Sequence, residues 1–282
     1  MSSFGSVPEG SLSGPPPRAD SVSGPPPRAG HARAVEQDYD RRTAEWREIY
    51  AGATFHDHLI RRRLELTLDL VDGAPSGAGG ASLDVGCGAG QLVVEMARRG
   101  YRAAGCDISA GMVAETRGLL AREGLPGRVE QADVERLAYP DGEFAWVTAL
   151  GVIEYLASPP RGLHELVRVL ARGGHLVVTA PNPMRLAYLA DPIGVVRGRL
   201  APPAHGYRRH YWTRGQLRRA VGAAGLEVLA LQGHGLGPFT IAGYRLMGDT
   251  RSIALGERLE RHLPASLVNL LGSNLIALAR KP

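Results

Sequence analysis

From residue 81 onward, short apolar runs alternate with apolar stripes at three- and four-residue steps. The runs at 81–86, 102–107, 128–132, 143–149 and 174–180 have the length and character of buried strands. Between them lie Leu92/Val93/Met96, Met112/Thr116/Leu119/Leu120 and Leu163/Leu166/Val167/Leu170, which predict helices. Farther on, "TRGQLRRAVGAAG" offers Thr213 as an N-cap and puts Leu217, Val221 and Ala224 on one face. The strand "LEVLALQ" follows, and "SNLIALAR" is the last. Strands separated by helices predict an α/β fold with a doubly wound, mostly parallel sheet. In such sheets ligands bind beyond the carboxyl ends of the strands, at the topological switch point.

Three domain-level segments emerge. Residues 1–35 read as a disordered tail: nineteen of them are Pro, Gly or Ser, and "SLSGPPPRAD" is followed at once by "SVSGPPPRAG". The triple prolines favour polyproline II, so an SH3-like ligand is the alternative to an inert leader. Residues 36–80 read as a helical cap, with Tyr39, Trp46 and Tyr50, then Ile60, Leu64, Leu68 and Val71, at helical spacing. The aromatics there pack or form a lid over whatever lies past residue 81. Residues 81–282 form the main domain, with lid-like inserts at about 184–210 and 238–270. In the first insert, "MRLAYLADPIGVVRGRLA" has a short, broken apolar stripe accompanied by arginines, which favours a substrate lid over peripheral contact with a membrane surface.

Composition narrows the setting. The net charge is +5, yet lysine occurs once, at Lys281, and the arginine clusters are scattered. That argues for an arginine-rich composition and against a nucleic-acid footprint. Cys87 and Cys106 are too few for a disulfide framework, so a reducing cytoplasm is the expected location. Neither has a CxxC partner, so no metal site is expected. No apolar run reaches about 18 residues, and the N-terminus lacks the basic start and apolar core of a secretory signal.

The candidate chemistry begins at "ASLDVGCGAG", where Gly86, Gly88 and Gly90 end a strand and open a helix. With 37 glycines in the chain such a triplet is weak evidence by itself, and Gly233/Gly235/Gly237 form a second. The second runs into Pro238 with no close helical stripe, so it reads as a flexible loop. The first lacks the lysine of a P-loop, and Gln91 occupies the third small-residue position of the dinucleotide fingerprint. Asp107 ends the next strand, where a carboxylate accepts hydrogen bonds from a ribose or caps a helix, Ser109 being able to take the capping role. Asp133 stands at the end of the third strand, facing either an adenine amino group or solvent.

Together "LDVGCGAG", "GCDIS", "QADVERLAYPDGEFAWVTALGVIEYL" and "LVRVLARGGHLVVTAPNP" resemble the class I S-adenosylmethionine-dependent methyltransferases, in the type 11 branch. The resemblance covers about residues 81–182. It implies a Rossmann-like seven-stranded sheet with helices on both faces and an antiparallel last strand. It also implies S-adenosyl-L-methionine as cofactor, whose methionine half carries no phosphate. By motif position, Gly86, Cys87, Gly88 and Gly90 would cradle that half, and Asp84 would support its ammonium. Asp107 would bind the ribose, Ile108 would lie against the adenine, Asp133 would take its amino group, and Val134 would supply a backbone contact. The backbone at Ala149–Leu150 would face the ammonium. Where many relatives have "LEHV", this chain has "IEYL", so Tyr155 replaces a histidine beside the substrate.

The expected reaction is methyl transfer to a small-molecule acceptor, foremost a hydroxyl oxygen, in secondary or quinone- or lipid-like metabolism. C- or N-methylation, a non-catalytic cofactor-binding protein and a dinucleotide-dependent enzyme are the alternatives. Nucleic-acid methylation is disfavoured, since "ALGV" stands where amino-methylating DNA enzymes carry [DN]-P-P-[YF]. A hydroxyl acceptor calls for a base near neutral pKa, which makes His205 and His210 in "PPAHGYRRHYW" the first candidates. That segment loosely resembles one in the ubiquinone-pathway O-methyltransferases. Glu154 and Tyr155 are second, and His56 and His58 are possible lid contacts. His164 and His175 read as structural. The oligomeric state is not legible.

Overall fold

The computed structural model describes residues 30–74, 80–186, 191–193, 196, 207, 209–241 and 244–282. Three helices precede the sheet: α1 (Gly30–Arg41), α2 (Thr43–Glu48) and α3 (Phe55–Asp72). Helix α1 therefore begins inside the stretch whose composition reads as tail, and its Val35 is buried. Helix α3 starts where Thr54 and Asp57 form a reciprocal capping box.

The chain then runs β1 (Ala81–Val85), α4 (Gln91–Arg98), β2 (Arg102–Asp107), α5 (Ala110–Arg122), β3 (Arg128–Gln131) and β4 (Phe144–Ala149). A 3₁₀ turn at Ile153–Tyr155 leads to α6 (Pro159–Val169) and β5 (Leu170–Pro181). After the first insert come α7 (Arg214–Ala223) and β6 (Glu227–His234). A small hairpin, β7 (Thr240–Ile241) and β8 (Tyr244–Arg245), then leads through α8 (Asp249–His262) and α9 (Ala265–Leu271) to β9 (Asn274–Arg280). Both predicted caps form: Ser109 accepts from Met112 N–H, and Thr213 makes a capping box with Gln216.

The main sheet has seven strands in the order β3-β2-β1-β4-β5-β9-β6. The pairs through β5 are parallel; β9 is antiparallel to both β5 and β6. The chain thus winds outward through β1, β2 and β3, then returns and winds the other way from β4. The switch point lies between β1 and β4, where the loops leaving the two strands diverge and leave a crevice.

Apolar side chains on the two sheet faces build two core clusters. One joins Leu83, Phe144, Leu166, Leu176 and Leu217 under α6 and α7, and the other joins Val93, Val129, Trp146, Val177 and Ile276 under α3, α4 and α5. His175 stacks on Trp146 with ring centroids 4.9 Å apart, a packing role, as its sequence context predicts.

The second glycine triplet departs from its sequence reading. His234 still belongs to β6, and one carboxylate oxygen of Glu260 accepts from Gly235 N–H at 2.8 Å and Leu236 N–H at 2.9 Å. Ser273 adds hydrogen bonds to the Gly235 and Gly237 carbonyls. Long-range partners, an acceptor in Glu260 and a donor in Ser273, pin this segment, and no local pattern reports them.

Candidate active site

A cavity opens at the switch point and, with the solvent at its mouth, spans about 1000 Å³. That is the size range of ligand pockets, roughly 300–1,000 Å³. Its floor is the loop after β1. Gly86 and Cys87 both donate backbone N–H to the Cys106 carbonyl, at 2.7 and 3.0 Å. Gly90 caps α4 at φ +89°, where a Cβ would stand 2.7 Å from Thr116 Cγ2 and 2.9 Å from Thr116 Cα. Only glycine fits that turn.

The loop is tied to the end of β2. Asp107 accepts Gly88 N–H on Oδ2 and Ser109 N–H on Oδ1, each at 2.9 Å. Its carboxylate lies in the wall, buried, with lone pairs left over. Ile108, Asp133 and Val134 line the same side, and Asp133 Oδ1 accepts Glu135 N–H at 2.9 Å. Burial pushes the Asp107 carboxyl up to about 6, against backbone hydrogen bonds that pull it down.

At the other end, Asp84 Oδ1 accepts from Thr148 Oγ1 at 2.7 Å. Burial pushes its carboxyl up to about 7, partly offset by Thr148 and the Arg63 guanidinium. Leu150, Gly151 and Arg63 complete this end. A Cβ on Gly151 would lie 2.3 Å from Arg63 Nη1 and 3.6 Å from Glu154 Oε1, so both groups flank that glycine. Glu154 is buried. Its Oε1 meets Arg209 Nη2 at 3.3 Å, and its Oε2 has no hydrogen-bond partner among the described residues. Burial raises the Glu154 carboxyl, and Arg209 and Arg63 pull it back.

The N-terminal helices roof the cavity. Tyr39, Trp46 and Tyr50 line it, as the lid reading expects, together with His31 and Val35. Tyr39 packs on Trp46 and edge-on against Tyr155, with centroids 5.8 and 5.7 Å apart. Tyr155 in turn meets Tyr207 at 5.7 Å, and Tyr207 Oη donates to Asp38 Oδ2 at 2.8 Å. Arg209 lies 4.9 Å above the Tyr155 ring.

Of the residues singled out from sequence, Asp84, Gly86, Cys87, Gly88, Asp107, Ile108, Asp133, Val134, Leu150 and Tyr155 all line this cavity. Gly90 shapes the loop from below, and Ala149 is fully buried in β4. His210 does not join them. It is exposed, its backbone N–H donates to the Glu154 carbonyl, and its Nε2 sits 3.0 Å from the Leu156 carbonyl. His205 and most of the first insert lie outside the described residues. His56 is exposed, and His58 faces Glu257 at 3.9 Å; neither lines the cavity.

Sequence reasoning missed Arg63 and His234. Arg63 falls three residues after buried Ile60 and four before buried Thr67, so a charge on the inward stripe of α3 was the available signal. His234 is buried with neither ring nitrogen hydrogen-bonded among the described residues. Burial and the arginines of α3 lower its pKa to about 3, which leaves it neutral. Among the described residues no helix is long and apolar enough to cross a membrane.

A doubly wound sheet with one antiparallel strand inserted beside its outermost strand, a glycine loop after β1 and a carboxylate ending β2 define the class I S-adenosylmethionine-dependent methyltransferases. Residues 83–178 match the family model described as a methyltransferase domain. The ubiquinone biosynthesis O-methyltransferase of Dechloromonas aromatica (strain RCB) is 33% identical over 201 residues, 70% of this chain and 85% of that protein. The fold is shared with magnesium protoporphyrin IX methyltransferase from Synechocystis PCC 6803, solved with bound S-adenosylhomocysteine. That chain is 18% identical, with a TM-score of 0.61 over 89% of this chain and 100% of that one. It is shared too with the [4+2]-cyclase SpnF, 22% identical, with a TM-score of 0.61 over 91% of this chain and 98% of that one. The chain belongs to the class I methyltransferase family, and S-adenosylmethionine is its methyl donor.

Proposed function

We propose that this protein O-methylates a small hydroxylated acceptor, with Glu154 as the proton acceptor. The residues fit the cofactor. The glycine loop leaves no room for a side chain at Gly86 or Gly90, and two cavity-lining residues carry buried donors without partners among the described residues, Arg63 Nε and Trp46 Nε1. Such donors are costly unless a ligand or water meets them. In this assignment they meet the methionine carboxylate, and Asp84 meets the ammonium. Asp107 takes the ribose hydroxyls, Asp133 the adenine amino group, and Ile108 and Val134 the ring.

When bound, the cofactor supplies an electrophilic methyl on its sulfonium. The protein holds the acceptor oxygen in line with it and removes the proton. The observation that carries the base assignment is the buried Glu154 just behind cavity-lining Gly151: its Oε1 flanks that glycine, and its Oε2 has no hydrogen-bond partner among the described residues. Its raised pKa brings it closer to the neutrality a base needs. The sequence relation to an O-methyltransferase supports the oxygen as acceptor atom.

The test is turnover of S-adenosylmethionine with a panel of phenols, quinols, sugars and amines. Glu154→Gln is expected to lower kcat for hydroxyl acceptors by about 10²–10⁴-fold. Its affinity for S-adenosylhomocysteine should stay within about twofold of wild type, and His210→Ala should change neither quantity. Turnover of amines alone, or a Glu154→Gln variant with full kcat, would overturn the assignment.

The raised carboxyls make a second prediction. Below about pH 7 Asp84 is protonated in the ligand-free protein, and below about 6 so is Asp107. Both are needed ionised, so binding must expel those protons. Affinity for S-adenosylhomocysteine is expected to rise from pH 5.5 to 8 and level off above about 7. The ligand-free protein behaves oppositely. Each group's pKa is raised by folding, so its stabilising contribution is complete below its unfolded value and is lost as pH rises through 6 to 7. Calorimetry and melting curves across that range check both signs.

A further inference from the structure

Helix α1 reaches the cofactor wall through one carboxylate. Asp40, in its last turn, accepts from Ser109 Oγ at 2.5 Å and from Gly111 N–H at 3.2 Å. Ser109 is fully buried, and all its polar groups beside the carbonyl are committed. Its hydroxyl proton goes to Asp40, its hydroxyl oxygen accepts Met112 N–H at 3.1 Å, and its own N–H donates to Asp107 Oδ1 at 2.9 Å. A hydroxyl has one proton to give. With Asp40 taking it, the oxygen's lone pairs face the first turn of α5, and the residue is held in the pose that grips Asp107. The negative charge of Asp40 at that helix end is favourable, and it also pushes the Asp107 carboxyl upward.

The rest of α1 and the start of α2 make further contacts around the cavity. Val35 and Tyr39 roof the cavity, Glu36 accepts from Gln131 Nε2 at 3.0 Å, and His31 Nε2 lies 2.7 Å from the Tyr155 carbonyl. Arg47, just beyond in α2, pairs with Glu115 of α5.

We propose that Asp40 is a positioning residue for the cofactor: by latching α1 onto Ser109 it makes closure of the helix over the cavity and alignment of Asp107 on the ribose hydroxyls a single event. The proposal rests on the cofactor assignment above. Opening α1 breaks the Asp40–Ser109 bond and loosens the N–H that orients Asp107, so release of the cofactor product is where Asp40 acts.

The experiment uses the full chain with S-adenosylhomocysteine as probe. Dissociation is followed by stopped-flow displacement, reading the fluorescence of cavity-lining Trp46, and backbone hydrogen exchange of residues 30–41 is measured with and without the probe. In wild type the probe is expected to slow exchange across α1. Asp40→Ala is expected to raise the dissociation rate about tenfold or more and to abolish that protection. Its ligand-free melting temperature is expected to fall by only a few degrees, since Ser109 loses an acceptor, and its ligand-free exchange across α1 to rise far less than its exchange with the probe bound. Asp40→Asn, whose amide oxygen still accepts from Ser109, should lie close to wild type. A dissociation rate within about twofold of wild type in Asp40→Ala overturns the proposal. So does α1 exchange that ignores the probe in wild type, or that rises equally with and without it in the variant, the mark of a merely structural contact. Failure of wild type itself to bind the probe overturns the cofactor assignment, and is seen before any variant is made.

Discussion

Asp107→Ala is expected to weaken binding of S-adenosylhomocysteine by about 30- to 1000-fold, or about 2–4 kcal/mol. In the proposed assignment two ribose hydroxyl donors lose a charged acceptor, and hydrogen bonds to charged groups are worth about 1.5–3 kcal/mol each. The loss extends further. Gly88 N–H and Ser109 N–H both end on this carboxylate, so alanine also frees the glycine loop from the end of β2. Asp107→Asn is expected to fall nearly as far, because its amide must turn a donor toward one of those N–H groups. Calorimetry of wild type and both variants, with NAD as a parallel ligand that should not bind, checks this. An Asp107→Ala protein that binds as wild type does would remove Asp107 from the ribose site.

Gly90→Ala is expected to cost about 2–5 kcal/mol of stability and to abolish measurable cofactor binding. A left-handed alanine costs about 1–2 kcal/mol. Forced packing adds about 1–3, because the Cβ meets the backbone of α5 at Thr116 Cα, 2.9 Å away, which cannot swing aside. Whole domains are stable by only about 5–15 kcal/mol, so this is a large share. Gly100→Ala is the control. Its φ is +80° but nothing lies within 4 Å of the added Cβ, so only the backbone cost applies. The melting temperature should therefore fall by several degrees more in Gly90→Ala than in Gly100→Ala. Equal falls would show that the loop does not depend on close approach to α5.

The strands, the caps at Ser109 and Thr213, the glycine loop and the two strand-end carboxylates were legible because each is written in a few consecutive residues. Strand and helix periods of two and 3.6 are local, and a left-handed turn demands glycine wherever it falls. The family resemblance carried the cofactor from the same short motifs. The placement of His210 was not legible, for the opposite reason. His210 lies two residues from Trp212 in a suggestive motif, yet its ring settles on the Leu156 carbonyl, 54 residues away, and does not line the cavity. Likewise "GHGLG" reads as a loose loop until Glu260 arrives beneath it.

By itself, then, the sequence determined the sheet's winding, the glycine cradle, the methyl donor and the absence of a phosphate fingerprint. Tertiary structure alone decided which long-range partners meet around the cavity. It brought Arg63 into the cavity wall, and set Asp40 on Ser109 across 69 residues and Tyr207 on Asp38 across 169. Periodicity records which face of an element is buried. It does not record which other element arrives there, because that pairing is set by packing between segments far apart in the chain.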